Sequence, residues 1–190
     1  MKSNTYFTTV DIALISVFCA LWVILNLTLG RLGFTWFGLP IFCDVSVFLT
    51  LLLVTWATSK FGTASIVGVI GATVALLITA SWHNIGFALS AILFDILMSV
   101  NKHKIQLKAY NLITVALVTI ISAYFAGVII GTVFMSRSVD WALTFWGGWH
   151  LIGGILGIIV TFPIIGVLEK ANVKSKCEGE GCLTKNLNWL

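Results

Sequence analysis

Residues 40–62, PIFCDVSVFLTLLLVTWATSKFG, decide how this chain folds. Between 40 and 59 the only charge is Asp44, and the run is as long as the roughly 20 residues that a helix needs to cross a bilayer. Pro40 suits a helix's first turn, where the N–H it lacks would have no partner anyway. Lys60, Phe61 and Gly62 then read as a tight turn, because another apolar run begins at once. A membrane-spanning helix followed by a short charged gap is the repeating unit of the whole chain.

Working outward, apolar spans fall at about 11–28, 40–59, 63–80, 85–100, 109–135 and 141–168. The first is too long and too late for a signal peptide, and no small-residue cleavage pattern follows it. Ser81, Trp82, His83 and Asn84 interrupt the third and fourth spans, and 101–108 is the most polar internal segment. Composition agrees: 59% of residues are hydrophobic, 9% are charged and the mean hydropathy is +1.05. A soluble domain carries roughly 25% charged residues, so a soluble fold is excluded. The expected fold is an all-α integral membrane protein, a bundle of six transmembrane helices over 1–170. A solvated, disordered tail over 171–190 follows it.

The basic residues orient that bundle. All nine lysines fall in even-numbered gaps or at the termini, whereas Arg31 and Arg137 fall in odd-numbered gaps. Positive residues favour the cytoplasmic side, which places both termini in the cytoplasm of a multi-pass plasma-membrane protein. The opposite rim then consists of 30–39, 81–84 and 136–140.

Those three loops and the helix ends beside them hold most of the polar and aromatic chemistry. Asn26, Arg31, Trp36, Asp44, Trp82, His83, Asn84, Trp141, Trp146, Trp149 and His150 form the expected substrate-binding set. Tryptophan offers a flat apolar face, an attraction for cations and one N–H donor, so several of them with a carboxylate make a box for a small heterocycle. The competing reading is an interfacial aromatic belt, which needs no ligand. Asp44 lies about one turn past Pro40, and an ionisable group at membrane depth marks a functional site. Its alternative is an ion pair with Arg31. Asp95, deeper in the fourth span, reads as a structural partner.

Small residues recur at near-helical spacing as Ala64, Gly68, Gly71 and Ala75, as Ala123, Gly127 and Gly131, and as Gly153, Gly154 and Gly157. Helices in lipid associate by close backbone approach, so these stripes read as packing faces. Ala13, Ser16 and Ala20 leave a smooth face on the first helix, suited to another membrane helix or to internal packing. No phosphate loop, HExxH or GxSxG occurs, and no metal is expected. The chain is therefore expected not to be an enzyme. Cys177 and Cys182, in CEGEGC, are spaced too loosely and without a nearby His to signal a metal site.

Six short-looped helices with both termini inside and a small-residue face in TVDIALISVFCALW resemble the substrate-binding S components of energy-coupling factor (ECF) transporters. In that family an AxxxA-like motif on the first helix docks onto a transmembrane coupling subunit. Ser16-x-x-x-Ala20, with Ala13 one turn earlier, is the nearest match here, with Ser replacing the first Ala. The resemblance implies uptake of a vitamin or related micronutrient, with thiamin or its pyrimidine precursor the first candidate. It also implies that two partner ATPase subunits consume the ATP, with no cofactor on this chain. Two other readings stand beside it: a small-solute channel, and a haem- or quinone-binding membrane subunit using His83 and His150.

Overall fold

The structure, a computed structural model, describes residues 6–171. Lys2 and the tail with Cys177 and Cys182 lie outside the described residues. Six helices run in sequence: α1 Thr9–Phe37, α2 Ile41–Thr58, α3 Thr63–Thr79, α4 Asn84–Asn101, α5 Ala109–Phe134 and α6 Val139–Lys170. No strand occurs among the described residues. Five of the helices are long and apolar enough to cross a membrane. The sixth, α3, is apolar but has 17 residues, about 25 Å at 1.5 Å per residue.

The sequence places most helix ends within a few residues, but it ends α1 near 28, and there the structure differs. The helix continues nine residues further, through Gly30, Arg31 and Gly33, to Phe37. Glycines that looked like loop punctuation are contact points with α2. A Cβ on Gly30 would come within 3.0 Å of Cys43 Sγ, and one on Gly33 would overlap the Phe42 ring. The helix stops only at Gly38, whose φ of +66° lets the chain leave in a left-handed C-cap ahead of Pro40.

Helix α2 is the innermost element, with 72% of its apolar window buried. Val47, Phe48, Leu51, Leu52 and Val54 are fully enclosed. Around it α1 packs on α3, α3 on α4, α4 on α5 and α5 on α6, while α6 and α1 both return to α2. Several of these seams run over the small-residue stripes. A Cβ on Gly68 would overlap Ala91, one on Gly71 would overlap Trp22, and one on Gly154 would sit 2.7 Å from Ala123 Cβ. The outer surface remains apolar, with Leu77, Val17, Ile113, Ile159 and Val167 all exposed. A large apolar surface of this kind suits lipid rather than water.

Lys60, Lys102, Lys104, Lys108 and Lys170 all stand at one end of the bundle, in the α2–α3 and α4–α5 connections and at the close of α6. Two carboxylates tie that end together. Asp11 joins Thr8 in a reciprocal N-cap of α1 and accepts from Lys60 Nζ at 2.5 Å. Asp95 accepts from the backbone N–H groups of Gly62 and Ser65 at 2.9 and 3.0 Å, capping the N-terminus of α3 from α4. It also meets His103 Nε2 at 3.1 Å. The structural role expected for Asp95 is what the geometry shows.

Candidate binding cavity

At the end opposite the lysines, the α1–α2, α3–α4 and α5–α6 connections converge over a cavity of about 530 Å³. Enclosed ligand sites commonly measure roughly 300–1,000 Å³. Helix α1 contributes Asn26, Leu27, Gly30, Arg31 and Phe34; α2 contributes Cys43; α4 contributes Asn84 and Phe87; α6 contributes Trp146 and His150. Thr79, Ser81 and His83 enter from the end of α3 and the α3–α4 turn, and Ile130 and Met135 from α5.

Three of the six helices widen into a π-helical turn here: Asn26–Gly30 in α1, Ile130–Phe134 in α5 and Ala142–Trp146 in α6. Each widened turn supplies wall residues, namely Asn26, Leu27 and Gly30, then Ile130, then Trp146. A π turn shifts the register of the side chains beyond it, and such turns concentrate at functional sites.

Four wall residues present buried polar atoms with no hydrogen-bond partner among the described residues: Asn26 Nδ2, Asn84 Oδ1, Trp146 Nε1 and His150 Nε2. Their residues are between 1% and 8% exposed, so bulk solvent does not satisfy these atoms freely. A buried polar group without a partner costs roughly 1–3 kcal/mol, and four of them stand around one cavity.

In Asn84 and His150 the other side-chain polar atom is already committed, which orients the free one. Asn84 Nδ2 donates to Ser81 O at 2.9 Å and to Thr79 Oγ1 at 3.3 Å, and this assigns its amide with Oδ1 left over. His150 Nδ1 meets Asp44 at 3.0 Å from Oδ1 and 2.9 Å from Oδ2, with both residues buried. With Nδ1 donating to the Asp44 carboxylate, Nε2 is the ring nitrogen left free. Trp146 is stacked on Trp141 at 5.4 Å between centroids, and Phe34 and His150 meet its ring edge-on. Its N–H is its free handle.

His83 is open to solvent over part of its surface, but protein crowds the ring on the cavity side. That desolvation, and then the nearby His150, lower its pKa below the ordinary 6.5. His83 is neutral at neutral pH. Phe87 stands between the two imidazoles, 6.4 Å from His83 and 5.7 Å from His150.

Of the eleven expected site residues, Asn26, Arg31, His83, Asn84, Trp146 and His150 line the cavity. Asp44 stands behind His150 and meets no cavity surface of its own; its partner is His150, not Arg31. Trp141 stands behind Trp146 and carries Arg137 over its ring at 5.7 Å. Trp36 and Trp82 point outward, 71% and 66% exposed, and Trp149 packs on Phe145. The apolar wall of Leu27, Phe34, Phe87, Ile130 and Met135 carried no signal in the sequence that set it apart from other spanning residues.

No protein-family model, curated protein or solved structure matches this chain. The cavity has to be understood from its own walls. They offer hydrogen-bond donors and acceptors, a guanidinium at the rim and apolar faces. Among the described residues no group of three His, Cys, Asp or Glu side chains is placed to hold a metal ion.

On the other side of α1, Ala13, Ser16 and Ala20 all lie on its exposed face. Ser16 Oγ donates to Ile12 O at 2.9 Å, so its hydroxyl is satisfied along its own helix. This stripe is not consumed by packing within the bundle.

Proposed function

We propose that this chain is the substrate-binding membrane subunit of an ECF-type uptake system for a vitamin or related micronutrient. The observation that carries the reading is the partly open cavity at one end of an apolar bundle, with four buried polar atoms unpaired on its wall. In this reading the lysine end faces the cytoplasm across the plasma membrane and the cavity faces outward, following the distribution of lysines. The exposed face of Ala13, Ser16 and Ala20 is the docking surface for a coupling subunit, with Val17 and Ile12 flanking it. Two ATPase subunits on that partner supply the energy, and this chain holds and releases the solute without catalysing a reaction.

Packing beyond the cavity supports binding over conduction. One to two turns further along, Val47, Phe48 and Leu51 of α2 and Ala91 and Phe94 of α4 are all essentially inaccessible, with Phe48 and Phe94 6.2 Å apart. A channel needs a continuous polar path, and these side chains stand across it.

One observation favours a second reading. His83 and His150 line the same cavity, and a His held by a carboxylate through its other nitrogen is the usual second shell of a metal-bound imidazole. A Soret band in the purified protein would move the assignment to a haem-binding subunit.

The deciding experiment is native mass spectrometry of the protein gently extracted from its own membranes. The expected spectrum shows a vitamin-sized molecule on the chain together with a membrane coupling subunit and two ATPase subunits. A bare monomer with neither ligand nor partners would overturn the proposal in favour of a small-solute channel.

A further inference from the structure

The walls of the cavity say more than that something binds; they select its charge. A cationic ring buried at this depth needs a carboxylate or an aromatic cage to replace its water. Neither is built. None of the residues lining the cavity is acidic, and both carboxylate oxygens of Asp44 point to His150 Nδ1 from behind the wall. Trp36, Trp82, Trp141 and Trp149 do not line the cavity, and Trp146 is stacked on Trp141. The formal charge on the wall is instead positive, from Arg31 at the rim, with His83 close by and neutral.

The unpaired atoms add a pattern to that charge. Asn84 Oδ1 accepts and Trp146 Nε1 donates, and His150 Nε2 and the Asn26 amide stand unpaired beside them. Each of the four belongs to a residue more than nine-tenths buried, so a ligand that leaves one unmatched gains nothing from water there. A molecule that satisfies both kinds carries N–H and C=O groups on one compact frame, as a cyclic amide, imide or ureide does. Phe34 and Phe87 supply apolar surface for a flat ring.

We infer that the cavity takes an uncharged or singly anionic heterocycle bearing an amide, imide or ureide edge, and rejects cationic rings. This inference rests on the proposed binding role and turns its ligand away from thiamin. The Asp44–His150 pair acts as a positioning device, because the carboxylate holds the ring with its hydrogen on Nδ1 and leaves Nε2 to accept from the ligand's N–H.

The test uses the full chain in lipid nanodiscs, offered an equimolar mixture of lumazine, riboflavin, biotin, nicotinate and thiamin, with retained molecules identified by native mass spectrometry. At least one of the three probes with such an edge, lumazine, riboflavin or biotin, is expected to be retained about tenfold or more over thiamin, the cost of burying an unpaired cation, whereas preferential retention of nicotinate, which has none, would overturn the edge. Arg31→Gln, at the exposed rim, is expected to weaken retention of an anionic probe about two- to fivefold more than that of an uncharged one. Preferential retention of thiamin would overturn the ligand class while leaving the binding subunit standing. Retention of no probe would overturn it as well, and the native-membrane experiment would then decide separately whether the binding role survives. Equal loss of anionic and uncharged probes in Arg31→Gln would show that the rim charge selects nothing.

Discussion

Asp44 and His150 come from sequence positions 106 residues apart, yet each is the other's only reason to be buried. A carboxylate buried at the level of the cavity and away from water is costly unless a donor faces it, and a buried imidazole is poorly defined unless something fixes its hydrogen. Asp44→Asn keeps the shape but offers an amide where an acceptor charge stood. The ring of His150 then loses the partner that holds Nε2 as an acceptor. The expected result is a loss of about tenfold or more in affinity for the molecule that co-purifies with the wild type, measured by titration calorimetry in nanodiscs. Trp149→Ala is the contrast: it packs on Phe145 away from the wall, so affinity should hold within about twofold. If Trp149→Ala weakens binding as much as Asp44→Asn does, the cavity has been placed on the wrong side of α6.

At the scale of elements, the pair exists because α2 and α6 approach closely enough to bring it together. Gly153 permits that approach. A Cβ there would sit 2.7 Å from Asp44 Cβ and 2.8 Å from the carbonyl oxygen of Ile41, and the latter is backbone that has no rotamer to escape into. Gly153→Ala is therefore expected to destabilise the bundle by about 1–3 kcal/mol. Gly148→Ala, on the same helix with nothing within 4 Å, should gain up to about 1 kcal/mol from helix propensity. Thermal unfolding of the two variants in one detergent separates a packing glycine from a merely tolerated one. Helix number was legible in the sequence because lipid demands long apolar runs and the lysines punctuate them. The extent of α1 was not, since Gly30 and Gly33 read as turn residues until Cys43 and Phe42 are seen pressing on them. Likewise, Asn26, His83, Asn84, Trp146 and His150 stood out as polar or aromatic residues near one rim, whereas the π turns that aim Asn26 and Trp146 inward leave no local signature. Asp44 was singled out correctly as a buried acid, but its partner depended on which helices adjoin.

For the whole molecule, the two ends differ in a way that one orientation explains. Lys60, Lys102, Lys104, Lys108 and Lys170 crowd the end where Asp11 and Asp95 cap helices, while Arg31 and Arg137 are the basic residues of the cavity end. Lysine excess near the ends of spans sets orientation during insertion, and the proposed orientation follows from it, with the lysine end in the cytoplasm and the cavity facing outward. An uptake subunit requires that arrangement, since its solute arrives from outside. The orientation is testable without a ligand. In a background with Cys19, Cys43, Cys177 and Cys182 replaced by Ala, single cysteines at Lys104 and Val139 report the two ends; both positions are exposed. A membrane-impermeant maleimide added to intact cells should label Val139→Cys at once and Lys104→Cys only after the membrane is permeabilised. The reverse pattern would turn the cavity towards the cytoplasm, where a binding subunit for uptake has nothing to capture, and the proposed function would fall with it.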